Sequence, residues 1–260
     1  MTWDAKLFNR HLATRRFGRE CVWLAEVDST NRWLADHDSE FTMSGGAVVA
    51  DHQTEGRGRR DRNWQDVAGA SLLCSVLLRH STDNRILGWL CLAPAVALAE
   101  VLQERFGAEH RISLKWPNDV RMNGRKIAGI LGRSSMQGSH TNSVVGVGVN
   151  LSIRREQFLP ELAHTATSLL AETETVALPE IMLAEMLNCW EPLYDLLLMR
   201  RTQEIERRWM RFAPALGTAV TRREADQTVA GTFEGLGDRG QLLLRDDHGT
   251  TRELFTGDLE

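Results

Sequence analysis

The segment between Gly56 and Trp64 has the residue types of a loop that binds anions. It reads GRGRRDRNW, so four arginines fall within six residues. Arginines this close repel one another unless an anion lies among them. Glycine lets backbone N–H groups come near a phosphate or carboxylate, and guanidinium groups bind such oxygens in pairs. The segment predicts an anion site, with a solvated basic loop as the alternative. Its spacing matches neither the Walker A pattern nor the dinucleotide-binding fingerprint.

Two further segments contain lysines in a chain that otherwise uses arginine. Lys6, Lys115 and Lys126 are the only lysines among 31 basic residues. Lys115 begins the segment KWPND, and Lys126 begins KIAGIL. A lysine ammonium is compact and its pKa adjusts to its surroundings, which arginine cannot match. Lys126 is therefore a candidate for chemistry, although a lysine at the start of an apolar strand can also extend from a sheet edge into solvent.

The segment GVGVN, from Gly146 to Asn150, places two glycines inside a strand pattern. Glycine weakens a strand and often marks the close approach of a ligand or of another backbone. A simple β-bulge is the alternative, and the sequence does not decide between them.

Cysteine usage and net charge exclude several classes of protein. The four cysteines, Cys21, Cys74, Cys91 and Cys189, show no C-x-x-C spacing, and the eight histidines show no ligand spacing. A disulfide framework and a zinc site are not expected. A net charge of −4 gives no general attraction to nucleic acid. The chain has no apolar run of the ~20 residues that a membrane helix needs and no apolar signal stretch in residues 1–20, so a cytoplasmic protein is expected.

The elements that must position these residues predict an α+β fold. Strands are expected at 21–27, 46–51, 70–78, 112–115, 120–122, 126–134 and 143–149, with residues 53–66 as a loop. Helices are expected from the cap at 28–30 to 35, over 83–106 with a kink or break at Pro94, and over 179–212 with a break at Pro192. Together they predict a mixed, largely antiparallel sheet with packed helices.

The pattern of the sequence changes after Pro214. Short strands at 218–220, 227–235, 241–244 and 251–255 alternate with glycine and aspartate turns. We therefore predict two domains, 1–213 and 214–260, the second a small barrel-like β domain.

Taken together, these segments resemble the biotin–protein ligase family. The resemblance begins near residues 17–19, includes 28–31, 53–64, KWPND, KIAGIL and GVGVN, and continues weakly through 167–169. The C-terminal residues match in size and texture only. The resemblance implies a class II synthetase-like catalytic domain, followed by a small SH3-like β-barrel domain.

The activity that the resemblance implies has two steps. Biotin's carboxylate attacks the α-phosphate of ATP, which gives biotinyl-5′-AMP and pyrophosphate. Mg²⁺ would sit on the ATP phosphates rather than in a cage of protein ligands. The ε-amine of one lysine then attacks the biotinyl carbonyl. That lysine would belong to the biotin carboxyl carrier protein of acetyl-CoA carboxylase or of another biotin-dependent carboxylase.

The resemblance also implies roles for individual residues. Arg57 and Lys126 are expected near biotin's carboxylate and the α-phosphate, and Arg59 and Arg60 in a loop that orders over the adenylate. Asp119 is our candidate to accept or orient the amine proton, with a cap of its own turn as the alternative. The expected catalytic residues are thus Lys126, Arg59, Arg60 and Asp119. The expected biotin-binding residues are Ser29, Thr30, Asn31, Gln53, Arg57, Gly58, Arg59, Trp64, Lys126, Gly129, Gly146 and Gly148. The expected ATP- or adenylate-binding residues are Arg57, Arg59, Arg60, Asn118, Lys126 and Asn150.

The chain departs from the family pattern in two ways. Asp61 stands where the family loop commonly has glycine, which leaves the detailed conformation of the loop open. Some family members also carry an N-terminal helix-turn-helix domain, and none is expected here because the ligase pattern begins within the first twenty or so residues. We therefore expect no binding to DNA, and no membrane partner. A weak homodimer is compatible with the resemblance.

Two other functions stay open. A lipoate–protein or octanoate–protein ligase on a related fold would have to hold a flexible acyl chain, and GRGRR with KWPND is not a pattern of that group. A non-catalytic biotin-binding regulator would have no use for Lys126 together with the arginine loop, since storage of biotin needs no α-phosphate site.

Overall fold

The computed structural model describes residues 3–83, 85–224 and 227–259. The strands of its larger sheet are Cys21–Leu24 (β1), Ala47–Ala50 (β2), Ser71–Ser81 (β3), Ile112–Lys115 (β4), Asp119–Met122 (β5), Arg125–Gln137 (β6) and His140–Asn150 (β7). Their order across the sheet is β1-β2-β3-β7-β6-β5-β4. β1 and β2 are parallel, and the other neighbours are antiparallel. The predicted mixed, largely antiparallel sheet is confirmed.

Helices cover both faces of this sheet. They are Ala5–His11 (α1), Thr30–Asp36 (α2), Trp89–Phe106 (α3), Leu169–Thr173 (α4), Pro179–Leu198 (α5) and Thr202–Met210 (α6). Successive side chains of a strand point to opposite faces. Val49 accordingly belongs to the large core that α3 and α5 cover, whereas Val48 packs with Leu34 of α2 on the other face. The face under α2 is the one that carries the candidate site.

The predicted break at Pro192 is wrong, and of the kink or break predicted at Pro94 the break is excluded. Pro94 lies inside α3 and Pro192 inside α5, and each helix continues through its proline. Trp190 and Leu193, on either side of Pro192, are fully buried. Tertiary packing of an apolar face therefore outweighs the backbone hydrogen bond that the proline removes.

The break in the helical region 179–212 falls instead after Leu198, where Arg200 has a φ of 59°. The N–H of Arg201 donates to the carbonyl oxygen of Leu196 at 2.8 Å, and that of Arg200 to Leu197 at 3.0 Å. These two bonds close α5 with a left-handed C-terminal cap and separate it from α6.

The start predicted for the buried helix is also wrong, since α3 begins at Trp89 rather than at residue 83. Asp83 holds a turn before it, in which its carboxylate accepts a hydrogen bond from the backbone N–H of Arg85 at 3.0 Å. A short polar side chain that binds the backbone two residues on favours such a turn over a helix.

The second sheet contains Ala219–Glu224 (β8), Gln227–Leu236 (β9), Leu242–Arg245 (β10), Thr251–Leu254 (β11) and Asp258–Leu259 (β12). Its order is β11-β10-β9-β8-β12, and the last strand was not predicted. The indole N–H groups of Trp89 and Trp116 donate to the carbonyl oxygens of Asp238 and Gly240, at 2.8 and 3.0 Å. The small β domain is therefore fastened to α3 and to the turn between β4 and β5, and the boundary at 213/214 stays a prediction. Within the described ranges, no helix has the length and apolarity of a bilayer-crossing segment.

Candidate functional site

Glycines of two neighbouring strands form the floor of a cavity of about 370 Å³. Gly129 of β6 pairs with Gly148 of β7, and Leu131 pairs with Gly146, in a regular register. A Cβ on Gly148 would lie 2.8 Å from the Trp64 indole, and one on Gly146 would lie 2.5 Å from Asn31 Oδ1. The glycines are thus explained by the close approach of other side chains, and β7 has no bulge at this point.

We expect Gly146→Ala to lower the free energy of unfolding by about 1–3 kcal/mol, the cost of adding a methyl group to a close-packed site. Asn31 cannot easily move away, because its Nδ2 donates to the carbonyl oxygen of Leu131 at 2.9 Å. Urea unfolding of both proteins measures the difference. Gly58→Ala is the control, since the nearest atom to its added Cβ would be 3.4 Å away. Equal losses in the two variants would contradict this account of the floor.

A hydrogen-bonded network closes one end of the cavity. Gln53 Oε1 accepts from both the backbone N–H of Thr30, at 2.8 Å, and its hydroxyl, at 3.0 Å. Ser75 Oγ lies 2.8 Å from Thr30 Oγ1 and 2.7 Å from Asn31 Oδ1, and its single hydroxyl hydrogen can be donated to either oxygen. Gln53 Oε1 therefore caps α2, which leaves the amide N–H₂ of that side chain as the group that can serve a ligand. This end is polar but carries no formal charge, and Ser29 adds a hydroxyl to its lining.

A β-bulge brings Lys126 into the cavity. Val120 pairs with Ala128 and Arg121 pairs with Lys126, so Ile127 is the extra residue of β6. Without it, Lys126 would point to the face opposite Gly129, because side chains alternate along a strand. With it, Lys126 Nζ lies 2.6 Å from Asp119 Oδ1 and 5.7 Å from the centre of the Trp64 ring. Asp119 thus forms an ion pair with Lys126.

Thr167 connects the elements that carry Lys126 and Asn150. The N–H of Thr167 donates to the carbonyl oxygen of Lys126 at 2.8 Å, and its own carbonyl oxygen accepts from Asn150 Nδ2 at 2.9 Å. Its hydroxyl donates to the carboxylate of Glu172, which also forms an ion pair with Arg125. Although burial opposes it, these partners hold the pKa of Glu172 below its ordinary value. Thr167 therefore holds the backbone of Lys126 in place through these hydrogen bonds.

The segment 56–64 folds as a small hairpin rather than an open loop. Trp64 N donates to the carbonyl oxygen of Gly56 at 3.0 Å, and Gly58 N to that of Arg62 at 2.7 Å. The Gly58 N–H is therefore used within the hairpin. Arg59 Nη1 donates to the carbonyl oxygen of Gly257 at 3.1 Å and lies 3.5 Å from Asn118 Oδ1. The side chain of Asp61 lies outside the described residues.

Arg60 is the one expected site residue that the cavity lining does not include. It occupies the turn of the hairpin with a φ of 57°, and its side chain is directed to the second sheet. Arg60 Nη2 lies 3.4 Å from the carbonyl oxygen of Arg223. A left-handed backbone at the turn sends this side chain away from that of Arg59, which the sequence pattern does not reveal.

Asn118, in the turn before β5, and Asn150, at the end of β7, line the cavity from opposite sides of β6. Asn118 Nδ2 donates to the carbonyl oxygen of Ile130 at 2.9 Å, so this amide joins the start of β5 to β6. Asn150 Oδ1 and Trp64 Nε1 are buried and have no hydrogen-bond partner among the described residues. A buried acceptor and a buried donor that face a cavity favour a polar ligand with the complementary groups.

The charges of the lining are strongly asymmetric. Among the described residues, the lining cations are Arg57, Arg59, Arg62, Lys115, Arg121 and Lys126, and the only carboxylate is that of Asp119. No group of three or more possible metal ligands occurs in the described part of the chain. The arrangement suits a ligand with several negative charges at one end and a compact uncharged group at the other.

The remaining expected residues all lie in this one lining. They are Ser29, Thr30, Asn31, Gln53, Arg57, Gly58, Arg59, Trp64, Asn118, Asp119, Lys126, Gly129, Gly146, Gly148 and Asn150. Sequence reasoning missed Ser75, Arg121 and Thr167. Arg121 could have been found, because it lies two residues after Asp119 on the same strand and so shares its face.

Comparisons with known proteins agree with the geometry. Residues 23–150 match the model of the biotin/lipoate A/B protein ligase family. The chain is 34% identical to the biotin–[acetyl-CoA-carboxylase] ligase of Paracoccus denitrificans over 90% of this chain and 99% of the relative. It is 30% identical to the Mycobacterium tuberculosis ligase of the same name, over 97% and 95%. The solved biotin protein ligase of Aquifex aeolicus in complex with biotin and ATP superposes with a TM-score of 0.74, at 27% identity, over 93% of this chain and 98% of that one.

Proposed function

The chain belongs to the biotin–protein ligase family, and from that membership we propose how its residues carry out the ATP-dependent ligation of biotin to protein. The observation that carries the proposal is the Lys126–Asp119 pair, which lies between an uncharged polar pocket and a cation-rich end of one cavity. Biotin has an uncharged ureido ring and a carboxylate, and ATP has a chain of phosphates. The uncharged end of the cavity therefore suits the ureido ring of biotin, and the cation-rich end suits the phosphates of ATP.

Biotin would occupy the uncharged end. Its ureido ring offers two N–H donors and one carbonyl acceptor, which suit the hydroxyl of Ser29 and the amide and hydroxyl groups of the network around Thr30 and Gln53. The glycine floor and Trp64 would enclose the thiophane ring and the valeryl chain. The carboxylate at the end of that chain would then reach Lys126.

Adenylate formation brings two anions together, and positive charge must offset their repulsion. Lys126 and Arg57 would lie beside the carboxylate and the α-phosphate, and Arg59 would reach the adenylate from the hairpin. The buried Oδ1 of Asn150 would accept a hydrogen bond from the amino group of adenine. Asn118, which lines the same cavity with its Oδ1 3.5 Å from Arg59 Nη1, would contact the adenylate beside Arg59.

Magnesium would accompany ATP rather than occupy a cage of protein ligands. Mg²⁺ prefers one or two carboxylates together with phosphate oxygens and water. Asp119, the lining carboxylate among the described residues, fits that demand next to the cations. The ion would supply further charge neutralisation at the phosphates.

The second step needs a neutral lysine amine, and at pH 7 only about one in 2,500 lysines is deprotonated. Asp119 would accept or orient the proton as the amine nitrogen bonds to the biotinyl carbonyl carbon and AMP leaves. Burial raises the pKa of the Cys74 thiol in the lining. Because the thiolate is the reactive form, this cysteine does not compete for the activated acyl group.

The acceptor would be a lysine of a biotin carboxyl carrier domain, as in acetyl-CoA carboxylase. The relatives are named for that substrate. We place the reaction in the cytoplasm, where ATP and such carboxylases occur together.

Pyrophosphate release tests the proposal. We expect release with ATP and biotin, and none when lipoate or octanoate replaces biotin, because neither acid has groups for the polar network around Thr30. Thermal stabilisation by biotin but not by lipoate is the matching binding experiment. Stabilisation by biotin without pyrophosphate release would favour a non-catalytic biotin-binding protein instead.

We expect Thr167→Val to slow adenylate formation about tenfold. The variant loses the hydrogen bond from the Thr167 hydroxyl to the buried carboxylate of Glu172, which supports the segment that holds the backbone of Lys126. Quenching the reaction at set times and measuring biotinyl-AMP gives the rate. Calorimetry with biotin should give an unchanged dissociation constant. Thr167→Ser retains the hydroxyl and should stay near the wild-type rate. A serine variant as slow as the valine variant would refute a role for this hydroxyl.

A further inference from the structure

Arg121 is a half-buried cation in the cavity lining that the mechanism above does not use. Its Nε atom is buried and has no hydrogen-bond partner among the described residues, and no ion pair of its guanidinium occurs within them. A guanidinium whose Nε is buried without a hydrogen-bond partner costs free energy. Such a side chain in the wall of a substrate cavity indicates that the substrate supplies the anion.

The register of the sheet locates Arg121 relative to the reacting atoms. Arg121 of β5 pairs directly with Lys126 of β6. Asn150 lies on β7, which is the neighbour of β6 on the other side. Lys126 is therefore flanked by Arg121 on one side. On the other side it is bridged to Ala166, and the next residue, Thr167, accepts a hydrogen bond from Asn150 Nδ2. The uncharged pocket lies farther along the strands, beyond Gly129 and towards Leu131.

The α-phosphorus of ATP carries the adenosine on one side and the pyrophosphate on the other. If Lys126 lies at the α-phosphate and Asn150 at adenine, the pyrophosphate must extend away from β7 and across β5. Arg121 is on that path, and Lys115 of β4 lies beyond it in the same lining. Both cations face the region where negative charge grows as the α–β phosphate bond breaks.

We propose that Arg121 binds the β- and γ-phosphates of ATP and the pyrophosphate that leaves. This inference rests on the proposed function and assigns a substrate contact to a residue outside the arginine hairpin and the lysine segments. A guanidinium that contacts the leaving group contributes to binding of ATP and of pyrophosphate. It does not contribute to binding of AMP or biotin, which lack those phosphates.

Calorimetric titration of the full chain with ATP, pyrophosphate, AMP and biotin, in buffer containing Mg²⁺, tests the proposal. We expect Arg121→Gln to weaken the binding of ATP and pyrophosphate by about tenfold or more, as for the loss of a charge-assisted hydrogen bond. Affinities for AMP and biotin should stay at the wild-type value. Arg133→Gln is the matched control, because this exposed arginine of β6 lies outside the lining. It should leave all four affinities unchanged.

A folding defect in Arg121→Gln could also weaken binding, and Arg121→Lys, which keeps the charge, distinguishes the two causes. It should retain more pyrophosphate affinity than Arg121→Gln. Unchanged ATP and pyrophosphate affinity in Arg121→Gln would overturn the proposal, and so would an equal loss of AMP affinity. These outcomes are distinct from failure of the proposed function, which would appear as absence of biotinyl-AMP in the wild-type enzyme.

Discussion

Replacement of Lys126 by alanine should lower the rate of biotinyl-AMP formation by about a thousandfold, the effect of removing a group that stabilises transition-state charge. Lys126 Nζ is 2.6 Å from Asp119, so the alanine variant also leaves an unpaired carboxylate where the phosphate must come. Biotin affinity should change much less, because the ureido end of the pocket does not involve Lys126. Removal of an interaction made only in the transition state lowers kcat, and it changes the ground-state affinity for biotin much less.

Rapid-quench measurement of biotinyl-AMP and calorimetry with biotin separate the two effects. Lys6→Ala, at an exposed position of α1, is the control for removal of a lysine and should match the wild type. Lys126→Arg restores the charge with a larger, planar group and should recover only part of the rate. Equal losses of biotin affinity and turnover in Lys126→Ala would mean that Lys126 is only a binding residue.

Replacement of Arg59 by glycine should let the reactive intermediate escape. Biotinyl-AMP is a mixed anhydride that reacts with any free amine, so the enzyme must cover it until the carrier docks. Arg59 Nη1 bonds to the carbonyl oxygen of Gly257 at 3.1 Å, which ties the hairpin to the second sheet. The glycine removes this bond and adds backbone freedom, and we expect biotin labelling of a bystander protein to rise about tenfold.

Biotin incorporation into added serum albumin, with ATP present, measures the escape. Arg59→Lys keeps a cation at this position and should leak less than the glycine variant. Arg60→Gly, whose wild-type side chain lies outside the lining and makes only a long contact to Arg223 of the second sheet at 3.4 Å, should leak less than Arg59→Gly. If Arg59→Gly forms adenylate but labels albumin no faster than the wild type, the hairpin is not the cover.

The parts of the site that could be predicted are those whose residues are costly or unusual for structure alone. Strand glycines such as Gly146 and Gly148 weaken a sheet, so their presence indicated either a close approach or a bulge. The structure shows the close approach, to Asn31 and Trp64. Long periodic segments likewise predicted the strands and most helices. The small β domain was predicted from its turns, although its two-residue last strand was too short to give a pattern.

The parts that could not be predicted depend on tertiary contacts. The bulge at Ile127 decides on which face Lys126 lies, and nothing in KIAGIL distinguishes a regular strand from a bulged one. Ser75 carries no signal of its own within the predicted strand 70–78, yet it lies beside Thr30 and Asn31 and supports both. Pro192 looked like a break, but the packing of α5 keeps the helix intact. In each case a contact far along the chain outweighs the local signal.

Transfer of biotin to a carrier lysine tests the central claim most directly. Purified enzyme would be incubated with ATP, Mg²⁺, biotin and a biotin carboxyl carrier domain, and the carrier would be analysed by intact-mass and peptide mass spectrometry. We expect one biotinyl group on one lysine, dependent on ATP, and no modification when lipoate replaces biotin or when Lys126→Ala replaces the wild type. A carrier that stays unmodified while the wild-type enzyme binds biotin and ATP would contradict the account.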